Sequence, residues 1–199
     1  MSRLLLSFLL SSAVVLPAFA ALAPGANAPD FSARASLAGK EFKFSLKHAL
    51  EKGPVVVYFY PSAFTGGCNI QAHTFAANME KFTSAGATVI GVSLDKIATL
   101  DEFSADPQYC AGKLPVASDP DGKIAKSFEL KVSDAHPGIK NTRGADIHHA
   151  FAERTTFIVT PDGKIAATIG GLSPTENVEK TLGAVEQLGG SKQAKKSGA

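Results

Sequence analysis

The feature that most constrains the fold is a run of six apolar residues, 55–60, which reads Val-Val-Val-Tyr-Phe-Tyr. Every member is β-branched or aromatic and no polar residue interrupts the run, as is typical of a strand buried on both faces. Such a strand needs other elements packed on each side of its sheet. Pro61 directly after the run predicts where the strand ends. The run therefore predicts the central strand of a layered α/β domain.

The rest of the chain alternates strand and helix patterns. Further strands are predicted at 88–94, 114–118, 155–160 and 164–169, and helices at 46–52, 68–84, 97–109, 123–130 and 174–188. A β-hairpin of residues 31–37 and 41–45 precedes them and would make the sheet mixed. This order predicts a three-layer α/β sandwich with a mixed central sheet and an N-terminal hairpin. Residues 131–150 form a polar loop, which at that length is expected to be functional, a partner surface or mobile.

The first twenty residues have the pattern of a secretory signal peptide. Arg3 supplies a positive start, Leu4 to Leu16 an apolar run, and Ala18 to Ala20 a small-x-small cleavage site. The apolar run is short for a membrane anchor. We therefore predict three parts, with the exported domain in the bacterial periplasm and free of the membrane after cleavage. The parts are a signal peptide at 1–20, a folded domain at 21–190 and a disordered basic tail at 191–199.

Charge and cysteine content exclude several classes of protein. The 20 basic and 18 acidic side chains leave a formal charge of +2, which provides no field for gathering nucleic acid. Two cysteines cannot form a disulfide-dense scaffold or a four-thiolate zinc or iron–sulfur site. His136, His148 and His149 are expected to be exposed loop residues or a contact surface rather than metal ligands. We predict no metal and no cofactor, but two cysteines are enough for redox chemistry.

Cys68 has the most informative surroundings in the chain. It follows the buried strand and lies at the start of the predicted helix 68–84, where unpaired N–H groups and the helix dipole favour an anion. Such a position lowers a thiol pKa, and the thiolate is the nucleophile. Thr65 in the same turn can direct its hydroxyl at whatever approaches the sulfur. A lone cysteine is often an inert core residue, but this strand–turn–helix context favours reactivity.

Pro61, Thr65 and Cys68 together complete the pattern Pro-x-x-x-Thr-x-x-Cys. The pattern resembles the peroxidatic signature of the peroxiredoxins. Residues 153–157, Glu-Arg-Thr-Thr-Phe, are similar to the segment that brings this family's active-site arginine, here Arg154, beside the sulfur. Within the family the chain is most similar to the peroxiredoxin Q or bacterioferritin-comigratory group. The resemblance covers nearly all of the mature chain and implies a thioredoxin-like fold.

The resemblance also implies an activity, a thiol-dependent peroxidase that reduces hydrogen peroxide or organic hydroperoxides. Cys68 would become a sulfenic acid, Arg154 would stabilise its thiolate, and an exported thioredoxin-like dithiol would reduce the oxidised enzyme. We expect a monomer or a weak homodimer. Many members of the group carry the resolving cysteine five residues after the first, where this chain has His73. Others carry it in the helix after the next strand, where Cys110 falls.

Several alternatives stay open at this point. Cys110 is interpreted as the resolving cysteine, but it could also form a permanent bridge with Cys68 or take no part. A thioredoxin-like disulfide oxidoreductase would need a second thiol close to Cys68, and residues 69–72 contain none. A non-enzymatic copper-handling module on the same fold would pair two cysteines about four residues apart with a distant histidine. Ala72 occupies the second cysteine's position.

Overall fold

A computed structural model describes residues 21–135 and 137–197, with side chains described as far as residue 189. The predicted signal peptide and His136 lie outside the described residues. Within the described part of the chain, no helix has both the length and the apolar character that crossing a membrane requires.

A seven-stranded mixed sheet forms the centre of the domain. Its strands are β1 (Ser32–Leu37), β2 (Lys40–Ser45), β3 (Val55–Phe59), β4 (Thr88–Ser93), β5 (Val116–Ser118), β8 (Thr155–Val159) and β9 (Ile165–Gly170). They lie in the order β2-β1-β5-β4-β3-β8-β9. Two short strands, β6 (Val132–Ser133) and β7 (Phe151–Ala152), pair separately. The helices are α1 (Leu46–Leu50), α2 (Gly66–Ser84), α3 (Ile97–Ala105), α4 (Lys123–Ser127) and α5 (Pro174–Ser197).

The central strand β3 is buried along its whole length, as predicted. Val56 and Tyr58 point into a core cluster with side chains of α2, α3 and α5. Val55, Val57 and Phe59 point the other way, into a second cluster with side chains of α1 and α4. Helices therefore cover both faces of the sheet, because alternate residues of a strand point to opposite sides. Burial of each such side chain stabilises the fold by about 2 kcal/mol.

The N-terminal hairpin and the mixed sheet are also confirmed. β1 and β2 pair antiparallel around Ala38 and Gly39, whose φ angles of 52° and 75° belong to a tight left-handed turn. β3 runs parallel to β4, and β4 runs parallel to β5. β8 pairs antiparallel with β3, and β9 pairs antiparallel with β8 at the edge of the sheet. The parallel strands bring their carboxyl ends to one edge of the sheet, where a site can form.

The predicted helix boundaries differ from the observed ones most at α3 and α5, and α4 also ends early, at Ser127 and not at 130. α3 ends at Ala105 and not near Tyr109, because Pro107 lacks an N–H and disfavours helical backbone in the residue before it. Cys110 consequently lies in a turn after the helix and not within it. α5 continues to Ser197, past the predicted end at 188. Residues 192–196, Lys-Gln-Ala-Lys-Lys, are all strong helix formers. The disorder predicted for 191–199 stays a prediction.

The loop at 131–150 has a pair of short strands at its base and a backbone bridge near its tip. β6 and β7 pair antiparallel at its two ends, with Val132 opposite Ala152. An isolated bridge joins Lys140 and Asp146, which also form an ion pair at 2.8 Å. Backbone pairing therefore fixes the described residues of this segment at its base and near its tip.

Candidate active site

The turn between β3 and α2 delivers Cys68 to the edge of the sheet. Phe64 adopts a left-handed conformation with φ of 56°, which is unusual for an aromatic residue and turns the chain sharply into the helix. Thr65 is the N-cap residue of α2 and has extended backbone. Cys68 is the third residue of the helix and is 2% exposed. Its sulfur therefore lies at the helix end where N–H groups lack intrahelical acceptors and favour negative charge.

Arg154 is the charged partner of Cys68. It lies between β7 and β8, and its Nη2 donates a hydrogen bond to Cys68 Sγ at 3.3 Å. A guanidinium is always protonated, so it places a fixed positive charge and a hydrogen-bond donor beside the sulfur. Gly67 makes room for it, because a Cβ there would lie 3.2 Å from Arg154 Nη2 and 3.4 Å from Pro174 Cγ. At Gly66, by contrast, a Cβ would meet no atom within 4 Å.

Thr65 and Pro61 lie in the same turn as Cys68. The Thr65 hydroxyl donates to the carbonyl oxygen of Ser62 at 2.8 Å. Because a hydroxyl has one proton and two acceptor positions, this bond leaves the Thr65 oxygen able to accept from an incoming O–H group. Pro61 is half-buried where β3 has ended and cannot continue the ladder, since it has no N–H. The structure thus brings together Thr65, Cys68 and Arg154 from two distant segments.

A buried polar network behind Arg154 was not predicted from the sequence. Arg154 Nη1 donates to Gln71 Oε1. The Gln71 amide donates to Asn177 Oδ1 at 3.0 Å, and the Thr156 hydroxyl donates to the same oxygen at 2.7 Å. Asn177 in turn donates to the carbonyl of Ile169 at 3.0 Å. Gln71, Asn177 and Thr156 are each 0% exposed, so the network fixes the guanidinium in an interior where a lost partner is costly.

The second cysteine occupies a contrasting environment. Cys110 is 0% exposed and belongs to the apolar core cluster that also contains Cys68. Burial, and to a smaller extent the Asp106 carboxylate, raise the pKa of Cys110 well above its ordinary value. The two cysteines are not bonded to each other. Cys110 is therefore a neutral thiol in this conformation.

Two contacts fasten the turn that carries Cys110. His73 Nδ1 lies 3.0 Å from the carbonyl oxygen of Gln108, and so joins α2 to this turn. Arg143, from the loop at 131–150, donates to Glu102 and to Asp106, both at 2.7 Å. Its guanidinium also lies 3.6 Å from the centroid of the Phe64 ring. The loop thus holds both the Cys68 turn and the end of α3, a role that no local sequence pattern indicates.

The two described histidines of this loop, His148 and His149, lie in different environments, so the expectation that both are exposed is wrong for His149. His148 is exposed, whereas His149 turns inward and places Nε2 2.9 Å from Asp95 Oδ1. Among residues 21–135 and 137–197, no three metal-ligating side chains converge on one point. Asp95 follows β4 and lies against the turn that leads to Cys68.

Comparison with known proteins agrees with this geometry. Residues 24–168 match the sequence profile of the AhpC/TSA family. The chain is 31% identical over 167 residues to chloroplastic peroxiredoxin Q of Oryza sativa subsp. japonica, an alignment spanning 82% of this chain and 67% of the rice protein.

Two solved structures show the same fold. Peroxidoxin BcpB of Mycobacterium tuberculosis superposes with a TM-score of 0.69 at 25% identity, covering 83% of this chain and 97% of that protein. The bacterioferritin comigratory protein of Xanthomonas campestris gives a TM-score of 0.62 at 27% identity, covering 78% of this chain and 91% of that protein.

Proposed function

The chain belongs to the AhpC/TSA family, and on that premise we propose that Cys68 is the peroxidatic residue of a peroxiredoxin assisted by Thr65, Pro61 and Arg154. The activity is that of a thioredoxin-dependent thiol peroxidase. The observation that carries the site assignment is the hydrogen bond from Arg154 Nη2 to Cys68 Sγ at 3.3 Å, at the start of a helix. We do not propose either alternative function, the disulfide oxidoreductase or the copper-handling module.

In the first half-reaction, the Cys68 thiolate attacks one oxygen of the hydroperoxide. A sulfur–oxygen bond forms, the oxygen–oxygen bond breaks, and the leaving oxygen takes up a proton to depart as water or an alcohol. Arg154 donates to the oxygen on which negative charge develops, which stabilises the transition state. Thr65 accepts from the peroxide O–H, and Pro61 ends β3 so that the turn can open towards solvent.

In the second half-reaction, Cys110 condenses with the Cys68 sulfenic acid. The new disulfide forms with loss of one water molecule, and a thioredoxin-like dithiol then reduces it by thiol–disulfide exchange. A neutral thiol buried in apolar surroundings is a poor nucleophile. The turn that carries Cys110 must therefore leave the core before the bond can form, and Gly112, with φ of 66°, gives it a flexible end.

The substrates are hydrogen peroxide or organic hydroperoxides. The Xanthomonas relative has alkyl peroxide reduction activity, which supports the organic class. Export to the bacterial periplasm rests on the signal-peptide pattern of residues 1–20, and it implies an exported reductant. A monomer or a weak homodimer is the assembly we propose. Detection of the mature chain, starting at Ala21, in the periplasmic fraction would test the export.

Mass spectrometry after addition of one equivalent of peroxide tests the two half-reactions. The reduced protein should convert to an internal disulfide between Cys68 and Cys110, whereas Cys110→Ser should stop with one added oxygen on Cys68. An unmodified Cys68 would contradict the site. A Cys110→Ser protein that turns over normally with a dithiol would instead make this a one-cysteine peroxidase.

A further inference from the structure

The Asp95 carboxylate is buried beside the Cys68 turn and accepts several hydrogen bonds there. It is 3% exposed and follows β4. Its Oδ2 accepts from the backbone N–H of Ala63 at 2.8 Å and from the Ser93 hydroxyl at 2.7 Å. Its Oδ1 accepts from the Ser62 hydroxyl at 3.1 Å and lies 2.9 Å from His149 Nε2. Four donors from three parts of the chain therefore meet on one carboxylate.

The hydrogen bonds of His149 favour a donor at each of its ring nitrogens. Nδ1 lies 2.8 Å from the carbonyl oxygen of Ala150, and Nε2 lies 2.9 Å from Asp95 Oδ1, with the Ser62 hydroxyl a longer neighbour of Nε2 at 3.3 Å. A neutral imidazole has one N–H and can satisfy one of these acceptors, whereas an imidazolium satisfies both. The geometry therefore defines His149 and Asp95 as an ion pair, with the two side chains 22% and 4% exposed.

The electrostatics of the pair agree with this assignment. Burial alone would raise the pKa of Asp95. The hydrogen bond and charge of His149 outweigh this effect, together with the hydrogen bonds from the Ala63 backbone and the Ser93 hydroxyl, and hold the pKa below its ordinary value. Burial alone would lower the pKa of His149, but the hydrogen bond and charge of Asp95 and the Ala150 carbonyl raise it above its ordinary value. Each partner thus favours the charged form of the other.

The other groups that face the pair add no competing charge. Tyr60, beyond the end of β3, lies within electrostatic reach of Asp95, and burial raises its pKa well above the ordinary value, so its phenol is neutral. Phe151 on β7 packs its ring edge-on against the His149 ring, with centroids 5.8 Å apart. The serines that contact Asp95 do not titrate.

This ion pair joins the two segments that build the active site. On one side, Asp95 holds the Ser62–Ala63 peptide, and the Ser62 carbonyl accepts the Thr65 hydroxyl. On the other side, His149 precedes β7 and the segment that carries Arg154. Movement of either partner would therefore change the position of Thr65 relative to Arg154.

We propose that Asp95 and His149 are a positioning pair for the peroxide-binding turn, and that Cys68 reacts fastest with peroxide while His149 is protonated. The inference rests on the proposed function of Cys68, Thr65 and Arg154. Neither Asp95 nor His149 forms a hydrogen bond with the Cys68 sulfur. They act through the Ser62–Ala63 peptide, and reactivity depends on such placement because small displacements of reacting groups slow a reaction.

The direction of the pH effect follows from the His149 imidazole. A histidine whose pKa is raised by folding stabilises the folded state fully below about pH 6.5 and loses that contribution as the pH passes its folded value. Loss of the proton leaves either Asp95 or the Ala150 carbonyl without its donor, and leaves a buried carboxylate without its countercharge. The turn should then be held less firmly at mildly alkaline pH.

The test is the pH dependence of the rate constant for Cys68 oxidation by hydrogen peroxide. The chain has no tryptophan, so rapid quenching with an alkylating reagent followed by mass spectrometry is the appropriate readout. The mature parent protein is compared with His149→Gln, and with His148→Gln as the matched control at the neighbouring exposed position. The ratio of parent to variant rate at each pH removes every pH effect that the proteins share.

We expect His149→Gln to react about tenfold more slowly than the parent below the His149 pKa, in keeping with the cost of a misplaced group. The ratio should approach one as the pH rises and the parent loses the same ion pair. His148→Gln should match the parent throughout. A ratio near one at all pH values would overturn the proposal, and so would a ratio that does not change with pH, since that indicates a purely structural role.

A second measurement decides the matter even if a variant folds poorly. The imidazole of His149, followed by NMR in the parent, should titrate above the ordinary value, with a midpoint that coincides with the fall in the rate ratio. A midpoint at or below the ordinary value contradicts the proposal.

His149→Lys keeps a positive charge to higher pH, so its rate should decline later than that of the parent. If Cys68 of the parent does not react with peroxide at all, the proposed function fails; if it reacts and only the histidine effects are missing, the positioning pair alone fails.

Discussion

Cys68 and Cys110 are both buried in one core cluster, yet their electrostatic surroundings differ. Cys68 lies at the start of α2 and receives a hydrogen bond from a guanidinium. Cys110 lies in a turn, and burial raises its pKa well above the ordinary value. Exposure does not distinguish the two thiols, at 2% and 0%. What separates them is whether a fixed positive charge compensates for the lost water.

Exchange of the thiol for a hydroxyl should give the largest difference between the two sites. Cys68→Ser should abolish peroxide consumption, because serine cannot supply a thiolate at neutral pH. Cys110→Ser should still consume one equivalent and then stall or over-oxidise. Peroxide consumption is measured for both, with circular dichroism to confirm the fold. Consumption by Cys68→Ser would place the reactive group elsewhere.

Removal of the guanidinium should bring Cys68 closer to the behaviour of Cys110. Arg154→Lys keeps the charge but loses the planar pair of donors that reaches Cys68 and Gln71 together. We expect Cys68 oxidation to slow by a factor that corresponds to about 2–4 kcal/mol, the usual cost of one charge-stabilising donor. Rapid-quench rates provide the measurement. A rate within twofold of the parent would show that the charge alone is sufficient.

Selective alkylation sharpens the comparison without changing the peroxide chemistry. In the folded, reduced protein an uncharged alkylating reagent should modify Cys68 at least about a hundredfold faster than Cys110, because the thiolate is the reactive form. In denaturant the two rates should converge, since both environments are then lost. Peptide mapping at timed intervals gives both rates from one sample. Equal rates in the folded protein would mean that the Cys110 turn opens freely.

The sequence predicts the first environment better than the second. The run at 55–60 specifies a doubly covered strand, and the spacing of Pro61, Thr65 and Cys68 specifies the turn after it. These are local patterns, so they can be found in one chain. Gln71 and Asn177 bond across 106 positions, and Asp95 and His149 across 54. No periodicity encodes such pairs, because the tertiary fold alone brings them together.

The Cys110 turn follows a local sequence signal whose structural effect is larger than the sequence predicts. Pro107 marks an interruption in the sequence, and the structure shows that it ends α3 entirely. The contacts that then hold the turn come from His73 and from Arg143, whose bonds to Glu102 and Asp106 span 41 and 37 positions. A helix would have held Cys110 through its own backbone hydrogen bonds, whereas the turn depends on these distant side chains.

The smallest effect we predict concerns Arg143 and the second half-reaction. Its exposed ion pairs and its contact with Phe64 hold the end of α3, and Asp106 in turn accepts from the backbone of Gln108 beside Cys110. Loss of these ion pairs and of the cation–π contact should make opening of the turn easier by about 1 kcal/mol, which is roughly a fivefold change in the opening equilibrium. Arg143→Gln should therefore speed disulfide formation by roughly that factor, because the turn is released more often.

The lifetime of the Cys68 sulfenic acid, trapped with a dimedone reagent at timed intervals, measures this step. Arg34→Gln is the matched control, since Arg34 forms an exposed ion pair with Glu41 within the hairpin. The control should leave the lifetime unchanged, whereas Arg143→Gln should shorten it and lower the yield of over-oxidised Cys68. An unchanged lifetime in Arg143→Gln would mean that Arg143 does not limit the opening, and that burial of Cys110 in the core alone keeps the second thiol apart from the first.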